Sequence, residues 1–419
     1  MSTWRDGVPN LSENRTMRIR RRRSCPPVLA ALLCLALLSA CAPPGARNWP
    51  FSIGPRSYAV ALGDLDGDGD LDAFLANGEN EVPVPNTVWL NDGEGRFSDS
   101  GQQIGERESR HVILADIDVD GDLDALVADT SNISIYLNNG QGEFGSSGKQ
   151  LGQPGDFSYV SGPATGDVNG DGYPDVFAGR CCGAIEMWDN NRRLVHSPVD
   201  SLWLSDGQGG FVDSGQTFDL LGTNSIALGD LDGDGHLDAF FGNAASHMDQ
   251  TENFVRNQPD TVWFNDGQGR FWLSAQQLSN SEAASVALSD LDGDGDLDAF
   301  VGNQGQDEVW LNAGGAQGGR PGTFIAGGTV GDAEQTRSVA LADLDGDGDL
   351  DALVVYRDSA RVWLNDGLAK FTAGQQLTFE RQHALALGDL DGDGQMDIFA
   401  GSVHHDILVW LNDGEAGFR

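Results

Sequence analysis

Lysine is almost missing: Lys149 and Lys370 are the only two among 25 bases, and these face 64 acids in 419 residues. A formal charge of −39 excludes the dense basic surface that phosphate backbones need, so no nucleic-acid partner is expected. Cysteine is nearly as scarce. Of five, Cys25, Cys34 and Cys41 lie near the start and only the adjacent Cys181 and Cys182 remain, too few for a disulfide framework. One long apolar run exists, from Val28 to Leu38, and it is too short to span a bilayer. There is no HExxH, no P-loop, no nucleophile elbow and no His/Cys metal cluster. The seven histidines are scattered; His404 and His405 beside Asp406 form the densest group. An enzyme is therefore not expected. Aspartate and glycine (57 residues) are what abound, and a hydrophobic content of 39% is too high for a disordered acidic tail.

The first 41 residues stand apart. A basic segment precedes the apolar run, as in a secretion signal, and residues 1–16 fit no part of one, which points to Met17 as the true start. Leu38-Ser39-Ala40-Cys41 resembles the bacterial lipobox, which implies a lipidated Cys41 as the new N-terminus. An ordinary cleaved signal with Ala40 before the cut is the plainer alternative. The expected location is thus outside the cytoplasm, anchored by lipid at the outer membrane or surface of a bacterium. Without residues 1–40 the chain keeps 18 bases against 62 acids.

Self-similarity organises the remainder, 42–419. An acid stretch recurs seven times: "DLDGDGDLD" from Asp64, "DIDVDGDLD" from Asp116, "DVNGDGYPD" from Asp167 and "DLDGDGHLD" from Asp230. "DLDGDGDLD" returns from Asp290 and Asp343, and "DLDGDGQMD" follows from Asp389. A second motif alternates with it, "VWLNDGEGRF" (88–97) being the first copy and "VWLNDGEAGF" (409–418) the seventh. Each unit reads as four short strands: one before the acid stretch, one after it, then a hairpin turning at Asn-Asp-Gly. Seven such units 46–63 residues apart predict an all-β, seven-bladed β-propeller of four-stranded antiparallel blades. The chain ends where the seventh unit begins its fourth strand. The segment "NWPFSIGP" (48–55) is expected to supply that strand and close the last blade, removing two sheet edges.

Five carboxylates in nine residues repel, by about 4 kcal/mol per close pair at an effective dielectric near 20, so an ordered loop needs a cation. Positions 1, 3, 5 and 9 are Asp64, Asp66, Asp68 and Asp72; Asp116, Asp118, Asp120 and Asp124; Asp167, Asn169, Asp171 and Asp175; Asp230, Asp232, Asp234 and Asp238. The last three loops supply Asp290, Asp292, Asp294 and Asp298; Asp343, Asp345, Asp347 and Asp351; Asp389, Asp391, Asp393 and Asp397. Position 6 is always glycine. Hard oxygen donors at alternate positions with a glycine bend are a Ca²⁺ pattern, so up to seven Ca²⁺ are expected. Position 7 varies (Asp70, Asp122, Tyr173, His236, Asp296, Asp349, Gln395), as it should if only its carbonyl binds. An EF-hand is excluded because position 12 is apolar in every copy, from Leu75 to Ala400, and the flanks alternate as strands. Val119 replaces a glycine in the second loop, and Asn169 and Pro174 alter the third; these two are expected to bind least tightly.

D-x-D-G-D-G-x-x-D between two strands, followed by VWLNDG-x-G-x-F, resembles the FG-GAP/VCBS repeats of the integrin α-subunit propeller and of bacterial surface proteins. The resemblance covers about 48–419. It implies calcium in the loops between first and second strands, and a role in adhesion or recognition; similar propellers include lectins and the frames of polysaccharide lyases.

Three connections between second and third strands are long: 77–87, 179–201 and 242–261. Read as loops on the face opposite the acid stretches, they are the expected ligand-binding face, with Trp188, Arg192, Arg193, His196, Phe254 and Arg256 as its contacts. The third-strand aromatics, Trp89, Tyr136, Trp203, Trp263, Trp310, Trp363 and Trp410, are expected to pack between blades. The function expected is a lipid-anchored, calcium-binding, monomeric recognition module for a protein or glycan at the cell envelope. A polysaccharide-active enzyme on the same frame is the alternative.

Overall fold

The computed structural model describes residues 56–419 except 79–83, 130–131, 153–158, 182–184, 189–190, 195–199, 219–221, 244–245, 249–253, 257, 280, 380–383 and 402–406; at 56, 159, 181–199, 244–257 and 316 only the backbone is described. The export segment, Cys41 and the closing strand expected at 48–55 lie outside these residues.

The fold is a seven-bladed β-propeller of antiparallel blades. The first blade runs Arg56–Gly63, Asp72–Gly78, Thr87–Asn91 and Phe97–Asp99. The second runs Ser109–Ala115, Asp124–Asp129, Ile133–Asn138 and Phe144–Leu151. Blades three to six repeat the order, their second strands beginning at Asp175, Asp238, Asp298 and Asp351. The seventh has Ala384–Gly388, Asp397–Gly401 and Leu408–Trp410. Its fourth strand begins at Phe418, which bridges Asn412 as Phe97 pairs with Asn91 in the first blade.

Burial follows the position of each strand. The second strand is covered on both faces by neighbouring blades, and "DAFLANG" is buried at all seven residues. The outermost strand is half wet, as "FSD" shows. Apolar side chains gather into seven clusters, each shared by two successive blades. The seventh joins Trp89 of the first blade to Leu390 and Phe399 of the last, and Phe97 meets Phe399 edge-on at 4.7 Å, so the ring is closed. The third-strand aromatics lie in these layers: Trp89, Trp263 and Trp363 are buried, and Tyr136, Trp203, Trp310 and Trp410 pack against them partly covered.

A chain of hydrogen bonds runs around the ring through the same layers. In each blade the position-9 aspartate accepts the N–H of loop position 2 on one oxygen and the N–H of the last third-strand residue on the other; for Asp72 these come from Leu65 (3.0 Å) and Asn91 (2.8 Å). The asparagine side chain then donates backwards to the position-2 carbonyl of the preceding blade. Asn91 reaches Leu390 (2.9 Å), Asn138 reaches Leu65 (2.8 Å), and Asn265 reaches Val168 (2.7 Å). Asn312 reaches Leu231, Asn365 reaches Leu291 (both 2.8 Å), and Asn412 reaches Leu344 (2.9 Å). Six of seven junctions are tied this way. At the junction of blades two and three the residue is Ser205, whose hydroxyl stays within its own turn, on Gly207. Glutamine latches add to four junctions; Gln375, for example, accepts the Phe418 N–H (2.7 Å) and donates to its carbonyl (3.0 Å). Where blade two should carry that glutamine, Lys149 donates to Gln208 O instead.

A buried carbonyl deprived of its donor costs about 1–3 kcal/mol. Asn365→Ala is expected to lower stability by about that amount in chemical denaturation. Ser205→Asn completes the ring and is expected to raise stability by about 1 kcal/mol.

Candidate metal centre

Each acid loop is wound about its own first aspartate. Asp64 accepts the Gly67 N–H at 2.8 Å on one oxygen and the Gly69 N–H at 3.2 Å on the other, and Asp167, Asp230, Asp290, Asp343 and Asp389 repeat both bonds. Positions 3 and 5 accept the N–H two residues on, as in Asp68 to Asp66 (3.3 Å) and Asp70 to Asp68 (3.1 Å), the habit of short acidic side chains in tight turns. Both glycines are needed: φ is +80° at Gly67 and +98° at Gly69, left-handed values that glycine adopts without strain.

This winding brings the carboxylates together. Oxygens of Asp64, Asp66 and Asp72 lie within 4.8 Å of one another, as do those of Asp116, Asp118 and Asp124. The same holds for positions 1, 3 and 5 of the loops from Asp230, Asp290 and Asp343. Position 7 does something else. A Cβ at the hairpin glycines Gly93, Gly140 and Gly367 would collide with Asp70, Asp122 and Asp349, and at Gly207 and Gly267 with Tyr173 and His236. The position-7 side chain therefore lies against the turn of its own blade. Exposed His236 covers Gly267.

The electrostatics are those of crowded, buried acids. All seven position-9 aspartates are at most 1% exposed. Burial, with like charge from positions 3 and 5 or 1 and 5 adding to it, raises Asp72, Asp124, Asp175, Asp238 and Asp351 to about 6 and Asp298 to about 7, and lifts Asp397 too. Burial first, then neighbouring aspartates, also raises Asp66, Asp118, Asp232 and Asp292. Three position-3 oxygens, Oδ1 of Asp118, Asp232 and Asp292, are shielded from solvent with no hydrogen-bond partner. An all-oxygen donor set containing shielded, partnerless oxygens fits a hard divalent cation.

At the other end of the blades, two connections expected as loops contain hairpins. Ile185–Trp188 pairs with Asn191–Leu194, and Ser246–Met248 with Phe254–Arg256; alternating residues at both sites were masked in the sequence by their polar neighbours. Trp188, Arg192 and Arg193 share the first hairpin, with Arg193 opposite Glu186; Phe254 and Arg256 sit on the second. His196, His404, His405 and Asp406 lie outside the described residues. Arg180 is 3% exposed and is held beside buried Asp200, which takes its N–H at 2.6 Å, so it belongs to the core and not to the loop surface.

The FG-GAP-like repeat family matches residues 64–127, 116–178, 290–354 and 343–400, together more than half of the chain. The chain belongs to the FG-GAP-like repeat family. The fourth blade falls outside the matched segments, yet its loop from Asp230 has the same bonds as the rest. Among solved structures this repeat protein is similar to BBS1N in its complex with ARL6DN (TM-score 0.55, 12% identity, 87% of this chain and 94% of that one). It is also similar to a protein of Desulfotomaculum acetoxidans DSM 771 (0.50, 13%, 82% and 88%), and to an Agrocybe aegerita lectin specific for non-reducing terminal N-acetylglucosamine (0.48, 20%, 83% and 86%). At these identities the likeness concerns the fold alone. No match was found among curated protein sequences.

Val119 has φ +62°, a left-handed conformation that costs a β-branched residue about 1–3 kcal/mol. Val119→Gly is expected to raise the thermal midpoint, by about 1 kcal/mol in free energy after glycine's entropy is counted. A raised carboxylate pKa means that the folded state holds more protons than the unfolded one between about pH 4 and 6. Metal-free protein is therefore expected to melt higher at about pH 5 than at about pH 7.5. His111, lowered to about 4 by burial and by Arg110, works the other way but is one group against the seven position-9 aspartates. Melts in chelator at the two pH values check the order, and equal midpoints would contradict it.

Proposed function

We propose that this chain is an exported, calcium-loaded propeller serving as a non-catalytic recognition module for a protein or glycan at the cell envelope. The observation that carries the reading is the set of shielded, partnerless oxygens of Asp118, Asp232 and Asp292 inside clusters of converging carboxylates. Side chains at positions 1, 3, 5 and 9, from Asp64 to Asp397, would hold the ion, with the position-7 carbonyl beside them. Bound calcium supplies positive charge where the fold has concentrated negative charge. The position-9 aspartate, already tied to its own loop and third strand, would then link the ion to the hydrogen-bonded ring.

Membership of the FG-GAP-like family supports a binding module. The hairpins carrying Trp188, Arg192, Arg193, Phe254 and Arg256 support a docking face away from the acid loops. The lipobox-like Leu38–Cys41 stretch supports attachment through Cys41; among the described residues no helix is long and apolar enough to cross a membrane.

Equilibrium dialysis against calcium, with metal analysis, is expected to give up to seven ions per chain, and Asp345→Ala with Asp347→Ala should remove one. A site filled at tenfold its Kd adds about 1.4 kcal/mol, so chelation should lower the melting point substantially. An unchanged melting curve and no bound calcium would overturn the reading. Capture of an envelope glycan or protein without turnover is the expected binding result; release of products would point to catalysis.

A further inference from the structure

Six blades close their outer hairpin over the same span. The residue ending the third strand faces a phenylalanine six places on: Asn91 and Phe97, Asn138 and Phe144, Ser205 and Phe211, Asn265 and Phe271, Asn365 and Phe371, Asn412 and Phe418. In the fifth blade the same pair is Asn312 and Phe324, twelve apart. Six added residues therefore enter at the end of the blade that holds the acid loop.

These residues are wound over the acid loop of their own blade. Gly315–Gln317 forms a single turn of 3-10 helix. The connection is drawn shut behind it: the Ala313 N–H donates to Thr323 O (2.7 Å) and the Gly322 N–H to Asn312 Oδ1 (2.9 Å). The turn crosses loop position 5, since a Cβ at Gly315 would run into the Asp294 carboxylate. It ends at position 3, where Gln317 Nε2 donates to Asp292 Oδ2. The Gln317 side chain is partly covered, and its carbonyl oxygen, Oε1, is shielded from solvent with no hydrogen-bond partner. The loops from Asp116 and Asp230 each show one such oxygen, whereas about the fifth loop they lie on Asp292, Asp296 and Gln317.

A shielded oxygen without a donor is costly unless a positive group comes to it. The two ends of a carboxamide exchange places on a half turn about its last torsion, which is broad and two-fold. Turned over, the carbonyl oxygen of Gln317 stands where the nitrogen stands, beside Asp292. Two oxygens so placed repel each other in an empty loop, which accounts for the nitrogen facing Asp292 there. Beside a hard cation the preference reverses, because calcium takes carboxylate and side-chain amide oxygens alike, roughly six to eight in all with water making up the number.

We propose that Gln317 is a ligand of the cation site in the fifth loop, adding an amide oxygen from outside the acid stretch itself. This rests on the reading of the acid loops as calcium sites, and adds to it a residue from the outer hairpin that tightens one of them.

The test is equilibrium dialysis of the full chain against chelator-buffered calcium, with metal analysis. Asp290→Ala with Asp294→Ala removes the fifth loop and identifies its ion as the one lost. Gln317→Met keeps the length of the side chain without its oxygen. It is expected to weaken that one ion by about tenfold, and to have no further effect once the fifth loop is removed. Gln317→Glu separates a ligand from a residue that only positions Asp292 by donating to it. A carboxylate can hold calcium but cannot donate when ionised. As a ligand, Gln317→Glu should keep or raise the affinity; in a positioning role it should fall as far as Gln317→Met. Melts in chelator establish that each variant is folded. Gln317→Met without effect, or Gln317→Glu as weak as Gln317→Met, overturns the assignment. An unaltered ion count on removing the fifth loop also overturns it and leaves the other loops standing as calcium sites, whereas no bound calcium at all removes the reading beneath it.

Discussion

The structure depends on one buried carboxylate per blade. The position-9 aspartate starts the second strand, receives the N–H groups that fix its own loop and its own third strand, and through the third-strand asparagine is connected to the loop of the blade before. Each such group is costly to bury. Burial first, with like charge from the crowded carboxylates at positions 1 to 5 adding to it, raises these acids toward neutrality. Two backbone donors per carboxylate offset part of that cost, and a divalent cation would offset much of the remainder. The same residue thus holds the sheet, joins the blades and faces the cation site. The requirement accounts for seven copies of so unfavourable a sequence.

Much of this was legible before any coordinates. Repetition was the strongest signal: seven acid stretches and seven VWLNDG-like segments led to the blade count, the strand order and the grouping of carboxylates. Alternation within each unit placed the third-strand aromatics between blades, where Trp89, Trp263 and Trp363 are found. What the repeats did not disclose was the use of their least conspicuous letter. The asparagine ending the third strand recurs in six units, but as part of a turn signal, and only the register shows that its side chain leaves its own blade. The position-7 residues were read, through their variety, as binding by their carbonyls alone; the structure adds that their side chains pack on the adjacent glycine turn.

The unread parts are those where repetition fails. The hairpins at 185–194 and 246–256 occur once each, so no comparison between units could expose them, and short polar strands carry little periodic signal. Arg180 falls in the 179–201 connection read as a loop, yet it is buried beside Asp200, a contact between positions twenty residues apart. An axial cavity is also a product of closure. Its lining residues are unremarkable in their separate strands and come together only because seven inner edges meet around one axis.

The junction at Ser205 gives the wheel a seam. Rings of equivalent parts have no natural place to begin coming apart, and their blades would be expected to loosen together. Here one boundary has neither the asparagine tie nor the glutamine latch, and rests on a packed layer and a lysine tether. Pulling forces, or the first breath of thermal opening, will concentrate there, and a chain cut and rejoined at that boundary would disturb its circumferential bonding least.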